Sequence, residues 1–210
     1  MPHISVLSWR HFRRVAVATS VVGLALALGF SLLMPLQYSA SMRLLITQTT
    51  QAQSTAAALD PYTAIKANER IAASMTELVY TSTFYNSVMS QARGFDASYF
   101  PADEYNKRKL WSESIGTSVT PGTGIMTVTV YHPSRDQARI LVQAAASQLA
   151  VSATNYFGSG VRVQVIDAPL DSRWYAKPNF VSNGLFGLFV GLLIGVGWAL
   201  LGFSRREIFR

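Results

Sequence analysis

Val15-Ala-Val-Ala-Thr-Ser-Val-Val-Gly-Leu-Ala-Leu-Ala-Leu-Gly-Phe-Ser-Leu-Leu-Met34 contains no charged residue. Neither does Phe180-Val-Ser-Asn-Gly-Leu-Phe-Gly-Leu-Phe-Val-Gly-Leu-Leu-Ile-Gly-Val-Gly-Trp-Ala-Leu-Leu-Gly-Phe203. As helices rising about 1.5 Å per residue, each run reaches roughly 30 Å or more, enough to cross the hydrocarbon core of a bilayer. Between them lie about 145 residues of mixed, water-compatible composition. The expected architecture is two membrane helices, both termini on one side, and a single domain on the other.

The basic residues orient this arrangement. Arg10, Arg13 and Arg14 precede the first run, and Arg205, Arg206 and Arg210 follow the second. Lys and Arg close to membrane-helix ends favour the cytoplasm, and the two flanks agree. The expected layout is a cytoplasmic tail over residues 1–14, a first span over 15–35 and an extracytoplasmic domain over 36–179. A second span over 180–203 and a cytoplasmic tail over 204–210 follow. Both tails are then expected on the cytoplasmic side of a membrane. A cleaved signal peptide is the rival reading of the first run, but such apolar cores are about 7–15 residues long and this run is longer.

The net charge of +7 mostly reflects that topology, because the middle segment holds twelve basic against ten acidic residues. Nucleic-acid binding would need the basic residues gathered on one folded face, so no nucleic-acid partner is expected. The absence of cysteine excludes disulfides and thiol catalysis.

Within the middle segment, Tyr38 to Thr49 alternates as a strand, leaving the first span directly. Gln48 to Ala58, rich in Gln, Thr, Ser and Ala, reads as a loop. Asp60-Pro61 suits a helix start. Ile65, Ile71, Met75, Leu78 and Val79 stripe that helix, which breaks near Thr81–Thr83 before a second one carrying Phe84, Tyr85, Val88 and Met89. Asp103-Glu104 and Lys107-Arg108-Lys109 suit the positive and negative ends of a short helix. Ser114 to Thr120 and Ile125 to Tyr131 read as strands around the turn Thr120-Pro121-Gly122-Thr123-Gly124. In the second, Met126, Val128 and Val130 point one way and Thr127, Thr129 and Tyr131 the other. Ser134-x-x-Gln137 suggests a capping box. The helix after it carries Ala138, Leu141, Val142, Ala145 and Leu149 on one face and stops at Gly158 and Gly160. Val161 to Asp167 is a last alternating strand. The fold class is α+β: a small α/β layer, a mixed sheet with helices packed on one face, with the first and last strands side by side.

Catalytic chemistry is sparse. His3, His11 and His132 are the only histidines, and no pair has metal-ligand spacing. Neither a Gly-x-Ser-x-Gly elbow nor a phosphate loop occurs. His132, beside Pro133, reads as a surface residue at a strand end. No catalytic, cofactor or metal residue is assigned, and no enzyme is expected. Lys107, Arg108 and Lys109 could contact an anionic glycan, a lipid headgroup or a partner, although charge runs are commonly solvated helix ends.

The apolar runs are more informative. Gly187, Gly191 and Gly195 recur every four residues, with Gly184 one turn earlier, and Gly23, Ala27 and Ser31 repeat the spacing in the first run. Small residues at this interval let helix backbones approach closely. The partner is either the other span or a neighbouring subunit. Residues 168–179 join the last strand to the second span with Pro169 and Pro178, which favour extended backbone, and with Trp174 and Tyr175, which suit a headgroup region.

Together these features resemble the polysaccharide co-polymerases of the Wzz type, the chain-length determinants of bacterial surface polysaccharides. The resemblance spans nearly the whole chain. It rests on two terminal spans around one domain and on Pro35-Leu36-Gln37-Tyr38-Ser39-Ala40 running into a strand. It rests also on the strand–Pro–helix unit from Met126 through Pro133 to Leu149, and on the proline-containing segment ending Lys177-Pro178-Asn179. It implies a capsule, O-antigen or exopolysaccharide system and a homo-oligomeric, non-enzymatic scaffold in contact with membrane lipid. A polysaccharide polymerase or exporter, and the polysaccharide itself, would be its partners. Any tyrosine kinase would be a separate protein, since Ser204 to Arg210 carries neither tyrosine nor phosphate loop. This chain lacks the long helical arm of larger members and has fewer prolines before the second span. The competing expectations are a two-span sensing module acting through a partner protein and an extracytoplasmic enzyme.

Overall fold

The computed structural model describes residues 6–48 and 61–208, with side chains from Arg13 to Gln48 and from Tyr62 to Ala199. The expected loop after Gln48 and the Asp60 cap fall outside this range. The chain divides into two units, one formed by residues 6–36 and 177–208, the other by Gln37–Ala176.

The first unit is a pair of helices. α1 runs Val6–Leu32, and its last turn tightens through Leu33 N–H to Phe30 O (3.1 Å) and Met34 N–H to Ser31 O (3.3 Å). Pro35 follows, and the residue before a proline resists helical angles. In the same unit the other helix runs Phe180–Ile208, with Asn179 Oδ1 accepting from Ser182 N–H (3.1 Å) at its start. Arg13–Leu32 and Phe180–Ala199 are each long and apolar enough to span a membrane.

The second unit begins with β1, Tyr38–Gln48, followed by α2, Pro61–Val79, with Pro61 at its first position. Thr81 accepts from Phe84 N–H (3.2 Å) and so caps α3, Ser82–Gln91. A short 3-10 turn spans Ala97–Tyr99, and α4 runs Glu104–Ser114 with Asp103 capping Asn106 N–H (2.9 Å). β2, Ile115–Val119, and β3, Ile125–His132, form a hairpin. α5, Arg135–Phe157, ends at Gly158, whose φ of +82° is open to a residue without Cβ. β4, Val161–Val165, and β5, Leu170–Asp171, complete the sheet, and the Phe180–Ile208 helix is α6 in chain order.

The sheet order is β2-β3-β1-β4, with β5 paired to β1. Every one of these pairings is antiparallel, which corrects the expected mixed sheet. β3 and β4 share a direction across the α5 connection, but β1 lies between them, so they never meet as parallel neighbours. β1 and β4, the first and last expected strands, do pair side by side.

One face of the sheet is buried. Ala40, Met42, Leu44 and Ile46 on β1, and Met126, Val128 and Val130 on β3, are almost fully covered. Against them pack Ala138, Leu141, Val142, Ala145 and Leu149 of α5, with Met75 and Val79 of α2. The alternate residues Ser41, Arg43, Thr127 and Thr129 occupy the opposite face, as the period of two requires. Trp111 of α4 is 2% exposed, and its Nε1–H donates to Val79 O (2.8 Å), a carbonyl left without a helical partner at the end of α2.

Three local expectations change. The Ser134 side chain makes no capping bond. Instead Ser134 N–H donates to His132 Nδ1 (3.0 Å), and Gln137 receives Asp96 N–H at Oε1 (2.8 Å), so no capping box forms. α4 continues to Ser114, so Lys107, Arg108 and Lys109 sit in its middle rather than at its negative end. The last strand stops at Val165, and β5 resumes pairing after Pro169, in a gap where no ladder donor is required.

Candidate functional site

α1 and α6 pack through two facing rows of small residues. Thr19, Gly23, Ala27 and Ser31 recur every fourth residue on α1, and Asn183, Gly187, Gly191 and Gly195 do so on α6. The rows run antiparallel. At one end Asn183 Nδ2 donates to Ser31 Oγ (2.8 Å). At the other, a methyl added at Gly195 would stand 2.9 Å from Ala16 Cα. A methyl at Gly191 would stand 2.9 Å from Ser20 Cα and overlap Thr19 O. One at Gly187 would overlap Ala27 Cβ, and one at Gly23 would overlap Gly187 O. Gly184 packs more loosely, its added methyl 3.1 Å from Leu24 Cδ1. The expected stripe therefore meets the other apolar helix of the same chain.

Polarity is inverted across this pair. Its exposed surface is apolar, with Leu33 (83% exposed), Val181 (74%) and Trp198 (72%) among the most open side chains. Thr19, Ser20 and Ser31 lie on the inner side, their hydroxyls bonded to their own helix at Val15 O (3.0 Å), Ala16 O (2.7 Å) and Ala27 O (2.9 Å). Such an arrangement suits hydrocarbon, where outward polar groups find no partner and small or hydroxylated residues form the contact. Asn183 was missed in the sequence. Extending the glycine row one step toward the helix start finds it.

The proline-containing segment splits between the two units. Pro169 sits in the gap between β4 and β5. Beyond it the chain lies along the start of β1. Asp171 pairs with Ala40, Ser172 N–H donates to Ser39 O (2.8 Å), and Ala176 N–H donates to Gln37 O (2.7 Å). Tyr175 lies against Tyr38, ring centres 4.6 Å apart, and Arg135 stands 4.4 Å over the other ring's centre. Arg139 forms an ion pair with Asp171, and Arg135 donates to Arg173 O. The segment is thus strapped to β1 and to the start of α5, with Trp174 left 83% exposed. Pro178 belongs to the helical unit and precedes α6.

Lys107 and Arg108 are already engaged. Glu104 reaches Lys107 Nζ (3.1 Å) and Arg108 Nε (3.0 Å), and it accepts from Ser82 Oγ (3.0 Å). Arg108, Lys107 and Ser82 hold its carboxyl down at about 2. Lys109 has no ion-pair partner among the described residues.

His132 is 6% exposed, which corrects its reading as a surface residue. Its ring meets Tyr99 at 4.3 Å and Phe95 at 5.6 Å between centres. Nδ1 accepts from Ser134 N–H (3.0 Å), and Nε2 is buried with no hydrogen-bond partner among the described residues. Burial pushes the imidazole below its ordinary 6.5 despite the Ser134 carbonyl oxygen 3.3 Å from Nδ1 and the nearby Asp96 charge. The unfolded chain then takes up a proton that the folded chain refuses. Stability is full above the unfolded value and falls as pH drops below about 6.5. Urea midpoints of the full chain between pH 7 and 5 should fall with acidity, and the slope should flatten in His132→Gln. Equal slopes in the two proteins would contradict this account. Among the described residues no three His, Cys, Asp or Glu side chains converge on a metal-sized site.

No protein-family model matches this chain, and no curated protein sequence matches it.

Proposed function

We propose that this protein is a non-enzymatic, oligomeric scaffold of the bacterial cytoplasmic membrane. In this reading it regulates chain length, polymerisation or export of a surface polysaccharide, as its resemblance to the Wzz-type co-polymerases implies. α1 and α6 are its membrane spans, both termini are cytoplasmic by the flanking arginines, and Gln37–Ala176 is the extracytoplasmic domain. The polymerase or exporter is its partner in the membrane.

One observation carries the reading. The two stretches of chain that adjoin the spans are hydrogen-bonded side by side: β5 pairs with β1, and Ser172 and Ala176 donate to Ser39 O and Gln37 O. A domain whose entering and leaving strands are neighbours is suited to two helices that also pack together. The inside-out polarity of α1 and α6 supports the membrane assignment.

Deleting the gene in its host and sizing the surface polysaccharide by gel tests the function. The reading expects a lost or shifted modal chain length, restored by the wild-type gene. Polymer of unchanged length and amount would count against it and favour the sensing module.

A further inference from the structure

A polar seam runs between α3 and α5. Phe84 and Val88 of α3 are buried against α5. Beside them Thr83, Ser87 and Gln91 recur every four residues on α3, and Gln148, Ser152 and Tyr156 do so on α5. Five of these six border a cavity of about 150 Å³ whose lining carries no charged side chain. Gln91 borders a second hollow of about 240 Å³ farther along the same seam, with Gln143, Ser147 and Arg93. The α3 row rises about 12 Å from end to end, longer than a single sugar ring.

Two groups here are costly unless they serve a purpose. Gln148 is 8% exposed and Ser152 4% exposed, on a helix whose other buried positions are mostly Ala, Leu and Val. A buried amide is tolerated when it is hydrogen-bonded. Gln91 Nε2 donates to Gln148 Oε1 (2.5 Å), and Gln148 Nε2 donates to Ser152 Oγ (3.3 Å). This chain of bonds aligns the groups, yet the Ser152 hydroxyl hydrogen has no acceptor among the described residues. Asn155, also in the lining, makes no side-chain hydrogen bond among them. Tyr156, 61% exposed, adds a flat aromatic face.

In the 150 Å³ cavity, amides and hydroxyls that both donate and accept, one aromatic face and no charge match a sugar ring, which alternates hydroxyls with C–H faces; Arg93 borders only the second hollow. We propose that the α3–α5 seam binds an uncharged stretch of saccharide chain. The choice of ligand rests on the polysaccharide reading above. The seam is distinct from Lys107 and Arg108 on α4, which Glu104 occupies.

Saturation-transfer NMR on the full-length protein in lipid nanodiscs tests the proposal. The probes are maltotriose, N-acetylated chitotriose and a heparin-derived tetrasaccharide. Transfer to at least one neutral trisaccharide is expected. Tyr156→Ala should weaken it about tenfold, the scale of losing one aromatic contact. Asn155→Ala should also weaken it, whereas Lys109→Ala should not. Both tested positions are exposed, so the variants should fold. No transfer to a neutral probe at millimolar concentration, transfer only to the heparin fragment, or transfer that survives both variants would overturn it. The two readings can fail separately. Transfer lost in Tyr156→Ala, with host polymer unaffected by gene deletion, keeps the saccharide site and sinks the chain-length role. A deletion effect without transfer does the reverse.

Discussion

Gly191→Leu is expected to drive α1 and α6 apart. A Cβ at this position already meets Ser20 Cα at 2.9 Å and overlaps Thr19 O. Both obstacles are backbone, so no rotamer change relieves them. The helices must separate, and a stiff helix moves as a unit, so the contacts at Gly187 and Gly195 and the Asn183–Ser31 hydrogen bond (2.8 Å) weaken together. Overpacking alone costs about 1–3 kcal/mol, and the lost contacts add to it. Gly197→Leu is the control, since a Cβ there meets nothing within 4 Å. In an SDS titration of the full chain in mixed micelles, Gly191→Leu should separate at markedly lower SDS than wild type, and Gly197→Leu should behave as wild type. Indistinguishable curves for the two variants would show that the close contact is not what holds the pair.

The second large effect is expected at Trp111. The indole is buried against Tyr85 (5.1 Å) and Phe100 (5.9 Å), ring centre to ring centre, and satisfies Val79 O. Trp111→Ala removes the packing, opens a cavity and leaves that carbonyl without its donor. Truncations of this kind cost about 3–5 kcal/mol. For a domain of this size that lowers the thermal midpoint by roughly 10 °C. Trp111→Phe keeps most of the volume and loses the hydrogen bond, so its loss should be smaller. Near-UV circular dichroism melts of the full chain check both, and a Phe variant as unstable as the Ala variant would shift the weight from packing to the hydrogen bond.

The faces of the strands were legible because a period of two is written directly in residues such as Met126, Val128 and Val130. Their neighbours were not. Alternation says which side chains go in, but not that β1 would slot between β3 and β4 and make the sheet antiparallel. His132 misled because it is polar and precedes a proline, yet it shares the inward parity of Val130 and is covered by Phe95 and Tyr99. The Lys107–Lys109 run misled in the same way: helix length decides whether a charge is terminal, and nothing local to it announced that α4 would continue to Ser114. The glycine stripe was readable from spacing alone. Its partner was not, because the same row could serve a contact within or between chains, and only the opposing Thr19–Ser31 row decides it.

The most direct test of an oligomeric membrane scaffold is the mass of the full-length protein in nanodiscs, with crosslinking in native membranes alongside. The account predicts a discrete higher oligomer in both settings. A monomer or dimer in both would contradict it.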